Sequence, residues 1–308
     1  MIVAISTPSA QAVASAVPTT DAKTAIVFSS VVDPLSAKLV SNLQQPGGAI
    51  TGISTLPLTA EHLQLITRIT PQVKRLGVIY NAGEANSTYL VKRLKDAASQ
   101  QSLSIVEATI TNSSEVSSAA KSLVGRTDAI YPPQDNTVIT ALDSVLNVGR
   151  QNQLPVYAGD NDSIDKGAIA TVGFNYHDVG RQTGRMVVRI LKGEKPGTIA
   201  VELPEQKLLV VNAKGAATMG VKIPDEVLKT AVCRRTVKRI DEPATVPLHC
   251  SIGFASRIRN ITIKPSTAIG GCTFIVKVTI IQAPLPDVAV HIVYPKGICN
   301  PKHADTLG

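Results

Sequence analysis

Residues 73–97 contain a strand that runs through a tight turn into a helix, and this junction constrains the fold more than any other stretch. Residues 73–80 are rich in apolar and β-branched side chains, which predicts a buried strand. Gly83 lies in the turn that follows, where glycine can adopt a positive φ. From Glu84 onward, apolar residues recur at helical spacing. The turn therefore lies at the carboxyl end of a strand, where open α/β sheets bind their ligands.

The same strand–loop–helix unit recurs along the chain. The hydrophobic pattern predicts strands near residues 2–5, 24–28, 49–54, 103–110, 129–131, 155–158, 168–173 and 208–211. Helices are predicted after most of them, including one around 35–43. This alternation is typical of parallel sheets covered by helices on both faces. Two such blocks, about 1–55 and 73–172, predict an α/β protein with two lobes.

Composition limits the class of protein. The chain has 308 residues, 44% hydrophobic and 18% charged, which is typical of a globular protein with about two domains. Its net charge of +8 is unevenly placed, because residues 233–308 hold ten Lys or Arg against four Asp or Glu. The nearly neutral first 232 residues do not indicate a nucleic-acid surface. All four cysteines also follow residue 232, so the lobes need no disulfide.

Several motifs occur in an order that carries a specific resemblance. They are IVAISTPSAQ (2–11), VDP (32–34), QPGG (45–48) with TGIS (51–54), YNAGEANS (80–87), DAIY (128–131) with DNT (135–137), and GRQTG (180–184). Through them, residues 1–230 closely resemble the ABC-transporter substrate-binding family, whose characterised members take up aromatic amino acids such as tryptophan and phenylalanine. The resemblance implies two doubly wound parallel-sheet lobes of the type I periplasmic-binding-protein kind, joined by a hinge that the chain crosses three times. Lobe I would comprise 1–72 and 173–200, and lobe II 73–172 and 201–230.

The resemblance also implies a function. The chain would be the solute-binding component of an ABC importer, capturing a small metabolite between its lobes and delivering it to a membrane permease. An amino acid is the expected ligand, with aromatic ones favoured, and the expected location is periplasmic or extracellular and membrane-associated. The alternative is the effector-binding domain of a transcription regulator with the same two lobes, which would need a helix-turn-helix segment before Ile2. An enzyme is not indicated, because the loops at the strand ends offer no nucleophile beside a base and no His, Cys or Lys. No cofactor is expected.

The two ends of the chain depart from the family pattern. The family begins with a signal or lipoprotein peptide and a further strand–helix unit, so the sequence is interpreted as N-terminally truncated. Residues 231–308 match nothing in the family, and their Pro-punctuated runs at 260–263, 273–281 and 288–294 indicate either an added β unit or a disordered or fused extension. We expect this tail to pack loosely or not at all on the lobes and to contribute nothing to the ligand site. Cys299 and His303 lack a Cys-x₂-Cys pair nearby, so no metal site is predicted.

Small hydroxyl, amide and carboxylate side chains gather in the loops that follow five of the predicted strands. Each could simply cap a helix or close a turn, but their convergence at one sheet edge predicts a ligand site. Asp135 and Asp160 are expected to hold a ligand ammonium, and the helix starts at 7–9 and 84–87 to hold its carboxylate. The predicted ligand-binding residues are Ser6, Thr7, Ser9, Ser30, Asp33, Asn81, Glu84, Ala85, Asn86, Ser87, Asp135, Thr137 and Asp160.

Overall fold

A computed structural model describes residues 1–17, 24–55 and 58–231 of the chain, together with the backbone of four strands beyond residue 232. It has the α/β architecture that the sequence predicts, with parallel sheets in two lobes. In the first lobe the elements are β1 (Ile2–Ile5), α1 (Thr7–Ala16), β2 (Ile26–Val31), β3 (Ile50–Ser54) and α8 (Tyr176–Leu191). Strands β1, β2 and β3 pair in parallel, in chain order.

The first sheet is buried on both faces because successive side chains point to opposite sides. Ala4 and Phe28 pack with α1 on one face, whereas Val3, Val27 and Ile53 pack with α8 on the other. Both faces are therefore apolar, as expected for parallel strands between helices. This arrangement places the carboxyl ends of β1 and β2 side by side.

The second lobe is built around one large apolar cluster. Its strands are β4 (Arg75–Asn81), β5 (Ser104–Ile110), β6 (Ala129–Ile130), β7 (Ala170–Gly173) and β8 (Leu208–Asn212). Its helices are α2 (Thr59–Ile69), α3 (Ala85–Ser99), α4 (Val116–Ser122), α5 (Asn136–Thr140), α6 (Leu142–Asn152), α7 (Asp162–Lys166), α9 (Ala213–Thr218) and α10 (Asp225–Thr230). Short 3₁₀ turns cover Ser113–Glu115 in this lobe and Pro196–Thr198 in the first. Strands β5, β4 and β6 pair in parallel, and β7 pairs with β8 in the antiparallel direction.

The chain crosses between the lobes near residues 55–58, 173–175 and 203–207. Helix α2 buries Leu63, Ile66 and Ile69 in the core of the second lobe, whereas Leu58 just before it packs in the first. Helix α2 therefore packs with the second lobe, although the resemblance counts residues up to 72 with the first.

One predicted helix does not form. Residues 35–43 make turns instead of the helix expected from their apolar spacing. The Asp33 side chain accepts a hydrogen bond from the Leu35 backbone N–H, which favours a local turn over a continuing helix. Lys38 then adopts a left-handed conformation with φ +57°, which a helix cannot contain.

Strands also form in the tail. Their bounds are β9 (Cys233–Arg235), β10 (Ile258–Ser266), β11 (Thr273–Ile280) and β12 (Val288–Val293). The last three extend the first sheet in the order β10-β11-β12-β1-β2-β3, and β12 runs parallel to β1. The β-like runs are thus confirmed as strands, but the expectation that the tail stays off the lobes is not, because an unpaired edge of β1 offers free backbone groups to a neighbouring strand. Cys299 and His303 lie outside the described residues.

Candidate functional site

A cavity of about 650 Å³ lies between the two lobes, within the roughly 300–1,000 Å³ typical of small-molecule sites. The first lobe contributes the ends of β1 and β2, and the second contributes the loops that follow β4 and β6 and the segment around α7. All of these loops follow the carboxyl ends of strands or the chain crossings between the lobes. The lining residues are Ile5, Ser6, Thr7, Ser29, Ser30, Val32, Thr55, Asn86, Gln134, Asp135, Asn136, Ile139, Thr140, Asp160, Asp162, Lys166 and Tyr176.

The wall from the first lobe presents hydroxyl groups and the start of α1. Ser6 and Ser30 both have positive φ, +79° and +56°, at the ends of neighbouring strands. Such conformations cost a non-glycine residue about 1–3 kcal/mol and concentrate at functional sites. Ser6 does not cap α1 with its side chain, and Pro8 in the first turn has no N–H. The first-turn N–H groups of α1 that have no side-chain cap, together with the helix dipole, suit a negatively charged group.

The wall from the second lobe is acidic. Asp160 is only 5% exposed, and its two oxygens accept hydrogen bonds from the backbone N–H and the hydroxyl of Ser163 at 2.9 and 2.6 Å. Burial raises the pKa of Asp160 above its ordinary value, and the two Ser163 bonds oppose this. Each carboxylate oxygen keeps lone pairs for a further donor. Asp162 and the exposed Lys166 lie at the rim, so this wall is not free of basic groups as the sequence interpretation expected.

Asp135 lines the same wall, but both of its oxygens already have protein partners. They accept bonds from the backbone N–H groups of Asn81 and Val138 at 2.6 and 2.8 Å, and Ser87 provides a third bond. Burial, and secondly the nearby Glu84 carboxylate, raise the pKa of Asp135. Asp135 therefore holds the loops after β4 and β6 together, and Asp160 is the carboxylate better placed for a ligand.

Glu84 has a similar internal role. Its carboxylate accepts four bonds from the backbone and side chains of Asn136 and Thr137, between 2.7 and 3.1 Å, and one from the Asn86 amide at 3.2 Å. A ligand carboxylate beside Glu84 would meet a like charge. The geometry thus does not favour the expectation that residues 84–87 hold a carboxylate.

A buried polar network lies in the second lobe, where His62 of α2 meets Tyr131, just after β6, and Val172 of β7. His62 is fully enclosed: its Nε2–H donates to the Val172 carbonyl at 2.6 Å, and the Tyr131 hydroxyl donates to its Nδ1 at 2.7 Å. The carbonyl can only accept, which fixes the neutral tautomer. Burial lowers the pKa of His62 to about 4. No local sequence pattern marks this network, because His62 lies in an ordinary amphipathic helix.

Six of the thirteen predicted residues line the cavity: Ser6, Thr7, Ser30, Asn86, Asp135 and Asp160. The other seven do not line it, namely Ser9, Asp33, Asn81, Glu84, Ala85, Ser87 and Thr137. Most of these support it from behind, as Asn81 does by donating to the Thr137 hydroxyl at 2.9 Å. Gln134, Asn136 and Asp162 adjoin predicted residues and share their polar chemistry, so a broader reading of the same loops would have included them. Thr55 and Tyr176 lie at chain crossings that no local pattern marks.

The family model described as "ABC transporter substrate binding protein" matches residues 1–234. A tyrosine-binding protein from Clostridioides difficile is 37% identical over 212 residues, which cover 69% of this chain and 60% of that protein. The chain thus spans about three fifths of that relative's length.

Two solved structures are similar at comparable coverage. An ABC domain in complex with L-Trp from Streptococcus pneumonia is 32% identical with a TM-score of 0.72, covering 76% of this chain and 80% of that one. A ligand-free, open substrate-binding protein with adhesive properties from Clostridium difficile is 35% identical with a TM-score of 0.58, covering 76% and 78%. Within the described residues, no helix is both long and apolar enough to cross a membrane.

Proposed function

The chain belongs to the ABC transporter substrate-binding protein family, and from this premise we propose that it binds an aromatic amino acid in the cavity between its lobes. The observation that carries the proposal is the opposed chemistry of the two cavity walls. The first lobe presents the uncapped start of α1, and the second presents the buried carboxylate of Asp160. A zwitterionic ligand satisfies both walls at once.

The two charged ends of an amino acid would lie on opposite walls. The carboxylate accepts bonds from the free first-turn N–H groups of α1 and from the hydroxyls of Ser6 and Thr7, and the ammonium donates to Asp160. Because both groups are enclosed, each contact is stronger than it would be in water. Arrival of the ammonium also offsets the burial that raises the pKa of Asp160.

The remaining lining suits an apolar side chain. Ile5, Val32 and Ile139 supply aliphatic surface, and Tyr176 supplies an aromatic ring. The named relatives support this assignment, since one is called tyrosine-binding and another was solved with L-Trp. The regulator alternative is not favoured, because the matching family is one of transport proteins.

Calorimetric titration tests the proposal directly. We expect L-tyrosine, L-tryptophan or L-phenylalanine to bind with micromolar or tighter affinity and to raise the melting temperature, since a ligand that binds only the folded state stabilises it. Glucose and ribose serve as negative controls. Tight binding of a sugar with no binding of any amino acid would overturn the proposal.

We propose that ligand binding draws the two lobes together and that a contact between them favours the closed arrangement. Tyr89 of α3 and Asp33 of the first lobe meet across the two lobes, close enough for the Asp33 charge to act on the Tyr89 hydroxyl. Burial, and then the Asp33 charge, raise the pKa of Tyr89. We therefore propose that Asp33, which was predicted as a ligand contact, instead contacts Tyr89 and helps to hold the lobes together.

Replacing Tyr89 with phenylalanine should weaken ligand binding about fivefold, because the bound arrangement loses the polar contact between the Tyr89 hydroxyl and Asp33, which we expect to contribute about 1 kcal/mol. Titration calorimetry with L-tyrosine measures the change. Tyr80→Phe is the matched control: its hydroxyl bonds Glu107 at 2.8 Å within one lobe, so affinity should stay within about twofold. Equal losses in the two variants would show that the Tyr89 contact does not favour closure.

Delivery to a permease follows from the family role. A closed, loaded protein presents a different surface from an open one, which lets a membrane partner distinguish the two states. The family works outside the cytoplasmic membrane, either free in the periplasm or attached to the membrane surface. Reconstitution with the matching permease in vesicles would test whether this chain supports uptake of the amino acid it binds.

A further inference from the structure

We propose that Glu84 is a positioning residue, which fixes the side-chain amide of Asn136 so that its oxygen faces the cavity. Asn136 then accepts a hydrogen bond from the ligand and thereby selects ligands with an amino group. The proposal rests on the proposed function and extends it to residues that contact and orient the ligand. Asn136 was not among the residues singled out from the sequence.

The orientation of the Asn136 amide follows from its partner. Its Nδ2 lies 2.7 Å from Glu84 Oε2, and its backbone N–H lies 3.1 Å from the same oxygen. A carboxylate only accepts hydrogen bonds, so the amide must turn its NH₂ end toward Glu84. Asn136 is half-buried and lines the cavity, which leaves Oδ1 as the end available to a ligand.

Glu84 is itself held from several directions, which makes this orientation durable. Its other oxygen accepts from the Thr137 backbone N–H at 3.0 Å and from the Thr137 hydroxyl at 2.7 Å. Asn86 donates a further bond from its Nδ2. The carboxylate thus joins the start of α3 to the start of α5, and a rotation of the Asn136 amide would place its oxygen against Glu84, where two acceptors repel.

The consequence is a pair of hydrogen-bond acceptors on the same wall of the cavity. Asn136 Oδ1 and the Asp160 carboxylate both accept, and they come from the successive loops after residues 131 and 157. A ligand with an ammonium group supplies three donors that can be shared between such acceptors. A ligand with the same ring and carboxylate but no amino group leaves them unpaired on enclosure, which is costly and therefore discriminates strongly.

A ligand pair isolates this effect. L-Tyrosine and 3-(4-hydroxyphenyl)propionate differ only in the amino group, and L-tryptophan and 3-(indol-3-yl)propionate form a second pair. The measured quantity is the dissociation constant of the analogue without the amino group divided by that of the amino acid, both obtained by titration calorimetry. We expect Glu84→Gln and Asn136→Leu each to lower this ratio about tenfold, and the double variant to lower it little further, because Glu84 acts through Asn136.

Thr137→Val is the matched control for a merely structural role. It removes one bond to Glu84 and the bond that Asn81 donates to the Thr137 hydroxyl, but it touches neither the Asn136 amide nor the cavity lining. Both dissociation constants should therefore shift together, and their ratio should stay within twofold. If Glu84→Gln does not fold, Asn136→Leu carries the test alone, with melting curves to establish its folding. A ratio unchanged in Asn136→Leu would overturn this inference while leaving amino-acid binding intact. Failure of the wild-type protein to bind any amino acid would instead remove the proposed function and this inference with it.

Discussion

Replacing Asp160 with asparagine is expected to weaken binding of L-tyrosine or L-tryptophan about 100-fold, or about 2.7 kcal/mol. The carboxylate is enclosed, and losing one charge of a buried, hydrogen-bonded pair costs about 2–5 kcal/mol. Asparagine can still accept from the Ser163 N–H and donate to its hydroxyl, so the turn before α7 should persist. Titration calorimetry on the purified variant measures the loss.

The control for this variant is Asp165→Asn. Asp165 is exposed on α7, which follows Asp160, and it does not line the cavity. Removing its charge should therefore change ligand affinity by less than about twofold. If the two variants lose affinity equally, the effect comes from net charge, and Asp160 is not the ammonium partner.

The affinity of the wild-type protein should also fall as the pH is lowered. The free protein has an Asp160 pKa above the ordinary value, chiefly through burial, and only the ionised carboxylate attracts an ammonium. Binding therefore weakens as the pH falls through that raised pKa. Asp160→Asn removes this titration, so its weaker binding should vary less with pH over the same range.

Replacing His62 with glutamine is expected to destabilise the protein by about 2 kcal/mol at pH 7.5 and by much less at pH 5. Glutamine leaves the Tyr131 hydroxyl without its buried acceptor, and such a loss costs about 1–3 kcal/mol. Urea unfolding of both proteins at several pH values measures the difference in the free energy of unfolding.

The pH dependence follows from the sign of the His62 shift. The folded-state pKa of about 4 lies below the ordinary value of about 6.5, so the unfolded chain binds the proton first. The stability that neutral His62 contributes is complete above about pH 6.5 and is lost as the pH falls toward 4. Linkage gives a loss of about 2 kcal/mol between pH 7.5 and 5. The glutamine variant has no such loss, so the two stabilities should converge.

His177→Gln provides the comparison. His177 is exposed near the start of α8, where its side chain is 75% accessible, so this variant should follow the wild-type protein at every pH. Buried carboxylates with raised pKa values, such as Asp160, add to the stability of the folded state as the pH falls. This contribution is common to all the variants, so it cancels when their free energies of unfolding are compared at the same pH. A difference in the free energy of unfolding between the wild-type protein and His62→Gln that stays constant from pH 7.5 to 5 would contradict the lowered pKa of His62.

The hydrophobic pattern was sufficient to predict the α/β class and most of the individual strands. Strand β4 and helix α3 occupy the stretch singled out first, because buried β-branched runs and helical apolar spacing are local properties. The helix predicted at 35–43 failed for an equally local reason, since Asp33 closes a turn there. The ordered set of motifs from 2–11 to 180–184 was enough to place the chain in its family.

The roles of individual polar residues were decided only by the tertiary structure. The sequence placed Glu84, Asp135 and Asp160 together at strand ends, but three similar carboxylates can have three different sets of partners. Glu84 and Asp135 each accept hydrogen bonds from a loop more than 50 residues away, whereas among the described residues the bonds to Asp160 come from the neighbouring Ser163, and Asp160 lines the cavity. Hydrogen-bond saturation depends on which loops meet in space, and no periodicity in a sequence encodes it.

The same reason explains His62 and Tyr176. The helical pattern around His62 left it either packed or solvated, and only the packing of α2 in the second lobe brings the Tyr131 hydroxyl and the Val172 carbonyl to its ring. The sequence by itself therefore determined most of the elements, the family and the edge of the sheet at which the cavity lies. The tertiary structure determined which polar groups hydrogen-bond to other loops and which remain available to a ligand, because contacts between distant segments exist only once the lobes have formed.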